Sequence, residues 1–186
     1  TKDGTAVQIC SATNSSVSDN SIDYIFTDPP FGANIMYSEL NFVSESWLKI
    51  KTNNKEEAIS NNTQRKGVPE YQTIMTACLK EYYRILKPGH WMTVEFSNTS
   101  AVFWNSLQYA IQSAGFVISA VTDLNKERGG LHAMLGPTAV KQDLAISCYK
   151  PSEELINKIT IQDSAAQVWS FVEDRLSSKS LKYCIM

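Results

Sequence analysis

The chain has few of the residues that build metal sites or disulfide frameworks. Its 186 residues include two histidines and four cysteines, and no two cysteines form a Cys-x-x-Cys pair: Cys10, Cys78, Cys148 and Cys184. Structural zinc sites group such residues at short spacings, and small secreted domains have a far higher density of cysteine. The sequence therefore predicts no metal site, and it predicts reduced thiols, as expected of a cytoplasmic protein.

Long apolar runs and a strong charge bias are also missing. No apolar stretch approaches the ~18 residues of a membrane-spanning helix, and no secretory signal peptide opens the chain. The formal net charge of −2 argues against a freely basic nucleic-acid-binding protein, although a basic cleft is still possible. Since the first residue is Thr1 rather than Met, we expect a piece of a longer protein.

One short stretch has an unusual combination of residues. Asp28-Pro29-Pro30-Phe31 follows the apolar run 22–26 and precedes a long periodic segment. The nearly continuous apolar character of that run predicts a parallel strand buried on both faces. Two consecutive prolines donate no backbone hydrogen bond and fix φ, so strand pairing should end here in a stiff, extended corner. The acidic side chain and the aromatic ring are therefore predicted at the carboxyl edge of a sheet, where open α/β folds bind ligands.

This stretch resembles the Asp-Pro-Pro-aromatic motif of S-adenosylmethionine-dependent methyltransferases that act on planar amino groups. Residues 18–27 before it and Tyr37-Ser38-Glu39-Leu40-Asn41 after it look like bacterial DNA amino-methyltransferases, some of which serve restriction-modification. The resemblance implies a Rossmann-like fold, DNA as partner, S-adenosylmethionine as cofactor, and adenine N6 or cytosine N4 as the methylated atom. The alternative is a proline-stiffened turn that happens to carry Asp and Phe.

The predicted catalytic residues are Asp28, Pro29, Pro30 and Phe31. The lone pair of an aromatic amino group is delocalised, so an enzyme helps by accepting hydrogen bonds from both amino hydrogens. Asp28 supplies one acceptor and the Pro29 carbonyl is a natural second. Phe31 could stack against a base flipped out of the duplex. Taken singly, an Asp in this position is more often a turn acceptor and a Phe more often a core residue.

The order of the remaining strands and helices predicts an α/β fold, and the resemblance implies a mostly parallel, partial Rossmann-like sheet that a C-terminal antiparallel hairpin closes. Strands are predicted at 5–10, 22–27, 91–96, 116–124 and 142–149. Helices are predicted at 34–50 with Asn34 as cap, at 69–86 with Lys87-Pro88-Gly89 as the stop, and from 99 or 100 to 114. Residues 1–150 would be the catalytic, target-facing part. Residues 151–186 would be a helical extension with helices at 153–159 and 163–176.

Two polar segments are candidates for substrate contact. Residues 51–57 and 60–67 are predicted as either a solvated loop or a DNA-facing flap whose basic residues meet phosphates: Lys49, Lys51, Lys55, Arg65 and Lys66. Residues 125–141 are too rich in glycine and basic residues for a short hairpin loop. They are predicted to face substrate, with an ordinary flexible loop as the alternative. The candidate substrate-binding residues are Tyr37, Arg128, Gly129 and Gly130.

The cofactor side of the resembling family is missing from this sequence. That family binds S-adenosylmethionine through a Gly-rich loop after the first strand and an acidic residue after the second, and the chain has neither. Ser11 stands where the family commonly has an acidic residue, so Ser11 and Thr27 are the remaining candidate cofactor contacts. We expect the cofactor-binding half elsewhere in a longer protein, or else a degenerate relic, and weak or undetectable cofactor binding by this chain alone.

Three other functions are compatible with the sequence. An RNA methyltransferase or a protein-glutamine methyltransferase would carry an overlapping motif. A non-catalytic nucleic-acid-binding module could also retain the fold. Asp rather than Asn at position 28, together with the segment 37–41, favours a DNA methyltransferase.

Overall fold

The computed structural model describes residues 4, 6, 10–124 and 143–156. The chain divides into two compact units, Thr1–Lys150 and Pro151–Met186. The elements of the first unit are β1 (Ile22–Thr27), α1 (Tyr37–Leu48), a 3₁₀ turn (Asn54–Glu56), α2 (Val68–Ile85), β2 (Leu86–Phe96), α3 (Ala101–Ser113), β3 (Val117–Leu124) and β4 (Asp143–Tyr149). In the second unit, residues 153–156 are helical. The predicted functions of the two parts stay predictions.

The four strands form one sheet in the order β1-β2-β4-β3. β1 pairs with β2 in parallel, whereas β4 is antiparallel to both of its neighbours. Three of the four strands therefore run in the same direction, and β4 is inserted between β2 and β3 against them. This confirms the predicted α/β fold, a partial Rossmann-like sheet with an antiparallel hairpin at its C-terminal end.

Helices α2 and α3 pack on each other and on one face of the sheet. The buried side chains of α2 include Tyr71, Met75 and Leu79, and their spacing of four residues places them on one side of the helix. They meet a core to which β2 contributes its alternate residues 92, 94 and 96. Because side chains alternate across a strand, the residues between these three belong to the opposite face.

That opposite face is less well covered. Tyr24 and Phe26 of β1 are 54% and 58% exposed, although the apolar run predicted a strand buried on both faces. The prediction of a buried strand was wrong on this side. A continuous apolar run indicates what a strand can bury, whereas the actual burial depends on the elements that pack against it.

The boundaries of α2 and β2 differ slightly from the predicted ones. α2 ends at Ile85, and β2 begins directly at Leu86. The predicted helix stop, Lys87-Pro88-Gly89, therefore lies inside the strand. The pairing of β1 with β2 shifts register around these three residues: Ile22 pairs with Leu86, and Tyr24, two residues later, pairs with Trp91.

Helix α1 begins three residues later than predicted. Its N-cap is Met36, which makes no side-chain capping bond. The predicted cap, Asn34, instead donates its side-chain amide to the Ser97 carbonyl at 3.5 Å. The prediction failed because a polar side chain near a helix start can bond to a distant backbone group instead.

Some predictions fall on residues that the structure does not describe. The predicted strand 5–10 retains only positions 6 and 10 among the described residues, and the predicted helix 163–176 lies wholly outside them. In the described part of the chain, none of the helices combines the length and apolar character that a membrane crossing requires.

A buried lysine joins three parts of the first unit. Lys150 is 6% exposed. Its ammonium group donates to the carbonyls of Tyr83 and Leu86 at 2.6 and 2.7 Å, and to the Asn20 side chain at 2.7 Å. It also lies 4.5 Å from the centre of the Tyr83 ring. Burial lowers the pKa of Lys150. The lysine thus links the C-terminal end of α2, the segment just before β1, and the end of β4.

We predict that Lys150→Met destabilises the fold by about 2–4 kcal/mol, because it leaves buried acceptors without a donor. The control is Lys87→Met, which removes a solvent-exposed ion pair with Asp23 and should cost less than about 1 kcal/mol. Urea unfolding monitored by circular dichroism measures both. Equal stability losses in the two variants would contradict the assigned role of Lys150.

Candidate functional site

The Asp-Pro-Pro-Phe corner lies where the sequence predicted it. β1 ends at Thr27, which pairs with Val94 of the parallel neighbour β2. Asp28 is exposed and Pro29 is buried. The carboxyl ends of two parallel strands therefore adjoin at this corner, which is where open α/β sheets bind ligands.

Two side chains from other parts of the chain hold the corner in place through hydrogen bonds. The Tyr71 hydroxyl, from α2, donates to the Pro30 carbonyl at 2.8 Å. The Asn98 side chain, between β2 and α3, donates to the Phe31 carbonyl. These two hydrogen bonds fix the backbone just after Pro29. The direction of the Pro29 carbonyl is therefore fixed as well.

The ring of Phe31 packs into the core. It is half-buried and meets Phe96 edge-on, with the ring centres 5.3 Å apart. Phe96 in turn meets Trp104 at 4.9 Å. The structure therefore gives Phe31 a packing role beside the corner. Its predicted stacking with a base stays a prediction.

A cleft of about 310 Å³ opens beside the corner. Among its lining residues are six that the sequence singled out: Ser11, Thr27, Asp28, Pro29, Pro30 and Tyr37. The structure thus brings the predicted cofactor contacts, three of the predicted catalytic residues and one predicted substrate contact to a single place. Arg128, Gly129 and Gly130 lie outside the described residues.

The opposite wall of the cleft comes from α2 and was missed by the sequence reasoning. It includes Ile74, Met75, Cys78 and Tyr82. Helical spacing predicts Ile74, Cys78 and Tyr82 on the apolar side of this helix, which packs on the core. Spacing does not reveal that one edge of this apolar side lines a cleft. Burial raises the pKa of the Cys78 thiol to about 11, so this thiol is neutral at pH 7 and a poor nucleophile.

Tyr37 and Tyr82 each interact with the corner. The pKa of Tyr37 is raised by partial burial and by the negative charge of Asp28, so its phenol is neutral and close to that carboxylate. Burial also raises the pKa of Tyr82, and a hydrogen bond with Thr27 partly offsets the shift. Tyr37 is thereby placed as a neighbour of Asp28, and Tyr82 as a support for the end of β1.

A charged network fixes the segment that carries Ser11. The backbone amide and the hydroxyl of Ser15 donate to Glu81 at 2.7 and 2.9 Å, and Arg84 pairs with Glu81 at 2.6 Å. Arg84 also donates to the Val17 carbonyl at 2.8 Å. The hydrogen bond from Arg84 and those from Ser15 lower the pKa of Glu81 to about 2. The loop before β1 is therefore attached to α2 next to the cleft.

Residues 51–67 are more firmly attached than a solvated loop would be. Ile59 is fully buried, and its backbone bridges to Gly32 in parallel. The ammonium group of Lys66 donates to the carbonyls of Asn54 and Glu57 at 2.7 and 2.6 Å. The prediction that Lys66 meets phosphates was therefore wrong, because its charge is buried against its own segment. The other basic residues of this prediction are exposed: Lys49, Lys51, Lys55 and Arg65.

The described residues offer little to hold a metal or a whole cofactor. Within them, no group of three or more His, Cys, Asp or Glu side chains could hold a metal ion. The cleft is at the small end of ligand pockets. Near it, the described chain supplies the hydroxyls of Ser11 and Thr27 but no Gly-rich loop, so these residues do not fit a complete S-adenosylmethionine site.

Comparison with known proteins gives similar structures but no family. No protein-family model matches the chain, and no curated protein matches it. Similar solved structures include the PvuII DNA methyltransferase (cytosine-N4-specific), with 14% identity, 73% of this chain and 46% of that chain covered, and a TM-score of 0.46. A candidate DNA modification methylase from Thermus thermophilus, solved with S-adenosyl-L-methionine, has 13% identity, coverages of 74% and 51%, and a TM-score of 0.41.

A methyltransferase from Methanosarcina mazei that depends on S-adenosylmethionine is also similar, with 13% identity, coverages of 78% and 67%, and a TM-score of 0.42. The chain spans about half the length of the Thermus protein and of the PvuII enzyme. At these identities and TM-scores, the likenesses identify neither a family nor an activity.

We predict that Gly32→Ala distorts the corner and costs at least about 2 kcal/mol. Gly32 has a φ of +100°, and an added Cβ would lie 2.5 Å from the Phe103 ring. The control is Gly67→Ala, where φ is −102° and the nearest atom is a flexible Glu70 carboxylate oxygen at 3.3 Å. Thermal and urea unfolding measure both variants. A Gly32→Ala protein as stable as the control would contradict the geometry.

Proposed function

We propose that this chain is the catalytic, target-facing half of an S-adenosylmethionine-dependent DNA amino-methyltransferase that acts on adenine N6 or cytosine N4. The observation that supports this most is the position of Asp28 and the Pro29-Pro30 backbone. They lie in one cleft, at the carboxyl edge of a Rossmann-like sheet, on a corner that Tyr71 and Asn98 hold in place.

The chemistry requires two fixed acceptors for one amino group. The Asp28 carboxylate accepts a hydrogen bond from one amino hydrogen, and the Pro29 carbonyl accepts a hydrogen bond from the other. Both acceptors then offset the positive charge that develops on nitrogen as a methyl group arrives. Because the corner is held before the substrate binds, these acceptors need little reorganisation during the reaction.

Tyr37 is proposed as a positioning residue. Its neutral phenol is close to the Asp28 carboxylate and lines the same cleft. A phenol in this place can orient the carboxylate or contact the edge of a base. A base must leave the duplex to reach the cleft, and an aromatic side chain at the rim offers it a surface in place of its stacked neighbours.

S-adenosylmethionine supplies the methyl group in this proposal, but the described residues contribute only part of its site. We therefore propose that a cofactor-binding half of the same protein completes the enzyme. The exposed apolar face of β1, with Tyr24 and Phe26, supports such a partner. We also propose a cytoplasmic location and a restriction-modification context, which follow from the resemblance of the motif rather than from the cleft.

We predict that this chain alone binds S-adenosylmethionine weakly, with a Kd of about 1 mM or higher. The reason is that the described part of the cleft lacks a cradle for the whole cofactor. Isothermal titration calorimetry with the 186-residue chain measures the affinity. A Kd in the micromolar range would show that the chain holds a complete cofactor site, and it would overturn the half-enzyme proposal.

We predict that, in the polypeptide extended by its flanking sequence, Asp28→Ala lowers the rate of methyl transfer to DNA at least about 100-fold. The control is Asp23→Ala, since Asp23 is an exposed aspartate of β1 that pairs with Lys87. Transfer of a radiolabelled methyl group is measured to DNA, to RNA and to a glutamine-containing peptide in parallel.

Loss of transfer to DNA in the Asp28 variant alone supports the proposal. Transfer to RNA or peptide but not DNA would replace it with one of the rival methyltransferases. DNA binding without any transfer, in both the parent protein and the variant, would favour a non-catalytic module.

A further inference from the structure

A second cavity lies beside helix α1 and is called here the α1 cavity. Its volume is about 460 Å³, which is within the range of small-molecule sites. Ser38, Phe42 and Glu45 line it from the helix, and their spacings of four and three residues place them on one side of α1. The segment 51–64 lines it from the other side. Glu45 accepts the backbone amide of Thr52 at 3.2 Å, which joins the two sides.

A hydrogen-bonded wall separates the α1 cavity from the cleft beside Asp28. Glu57 accepts the backbone amide and the hydroxyl of Ser38 at 3.0 and 2.7 Å, and the side-chain amide of Gln64 at 3.4 Å. Glu57 and Tyr37 line the cleft, whereas Ser38 and Gln64 line the α1 cavity. Although burial opposes the charge, these hydrogen bonds lower the pKa of Glu57. The two spaces are therefore neighbours on either side of an ionised carboxylate.

The α1 cavity contains an aromatic surface and an acceptor without a donor. Phe42 is 68% exposed, so its ring is open to a ligand. Gln64 Oε1 is buried, and no donor among the described residues bonds to it. Buried amide oxygens ordinarily have a donor. The bond from Gln64 to Glu57 is long and hence weak, so the amide can turn toward a donor in the cavity.

We propose that the α1 cavity receives the base next to the methylated base in the same DNA strand, with Phe42 as its stacking surface. This inference rests on the proposed function, because the methylated base is the one that enters the cleft beside Asp28. Flipping that base out removes a stacking partner from its neighbour. An exposed aromatic ring beyond the wall replaces the lost stack, as aromatic side chains do for bases of single strands.

The charges of the α1 cavity favour a base over a phosphate. The carboxylates of Glu39 and Glu45 line it and would repel a phosphate placed inside. Lys51 also lines the cavity and is exposed, so it can meet the phosphate that joins the two nucleotides. Carboxylate and amide oxygens accept hydrogen bonds from the amino groups of cytosine and adenine. The cavity is therefore suited to a base with an exocyclic amino group.

Nuclear magnetic resonance of the isotope-labelled chain tests where the second base binds. The probes are the dinucleotides of deoxyadenosine and of deoxycytidine, compared with the corresponding monophosphates. We expect both kinds of probe to shift the backbone amide signal of Asp28, and the dinucleotides to add larger shifts at Phe42, Asn54 and Gln64.

Shifts at Asp28 with none in the α1 cavity would overturn this inference and leave the proposed function standing. Shifts in the α1 cavity with none at Asp28 would contradict the proposed function, and with it the assignment of the cavity to a neighbouring base.

The same titrations, repeated on variants, test the role of Phe42. We expect the parent chain to bind each dinucleotide at least about tenfold more tightly than the monophosphate. Phe42→Ala should weaken dinucleotide binding at least about fivefold and leave monophosphate binding unchanged. Phe42→Tyr keeps the ring and should keep the affinity.

The matched control is Leu40→Ala. Leu40 is 64% exposed and lies two residues away on another side of α1, so its removal should leave the affinity for both kinds of probe unchanged. Circular dichroism confirms that the variants fold. No loss of dinucleotide affinity in Phe42→Ala, or an equal loss in Leu40→Ala, would overturn the inference.

Discussion

The buried ammonium group of Lys150 is the interaction on which the arrangement of the sheet and α2 depends. It satisfies the carbonyls of Tyr83 and Leu86 and the side chain of Asn20 at once. Those groups belong to the end of α2, the start of β2 and the segment before β1. Because one charge holds all three, the end of β4 is fixed against the elements that carry the candidate site. Removing the charge of Lys150 would leave several buried polar groups unpaired, whereas removing an apolar side chain would lose only packing contacts.

The same sheet positions the candidate site at the other end of β1. Strand pairing stops at Thr27 because the prolines cannot continue it, and α2 closes the corner through the Tyr71 hydroxyl. The Glu81–Arg84 network attaches the Ser15 segment to the same helix. Helix α2 thus packs one apolar side against the core, supplies a wall of the cleft and fixes two separate loops. The acceptors proposed for the amino group are held in place by elements that meet the core.

Local pattern was sufficient to predict much of this architecture. The span of β1, the presence of α2 and α3 and the corner at Asp28 follow from apolar periodicity and from proline chemistry, which act over a few residues. The antiparallel hairpin followed from the resemblance of the motif. The features that failed or were missed depend on partners that spacing does not reveal. Asn34 bonds to Ser97 instead of capping α1, Lys66 is buried against its own loop, and Lys150 finds its acceptors more than sixty residues away. Each of these partners is set by the folded arrangement of the chain.

Nuclear magnetic resonance of the isotope-labelled chain tests most directly whether the Asp28 corner receives the amino group of a base, as we propose. The chain is titrated with the monophosphates of deoxyadenosine and deoxycytidine, which carry exocyclic amino groups, and with that of thymidine, which does not. We expect the backbone amide signals of Asp28, Phe31 and Tyr37 to shift with the first two nucleotides at millimolar concentrations and not with the third. Equal shifts with thymidine monophosphate, or shifts confined to residues away from the cleft, would contradict it.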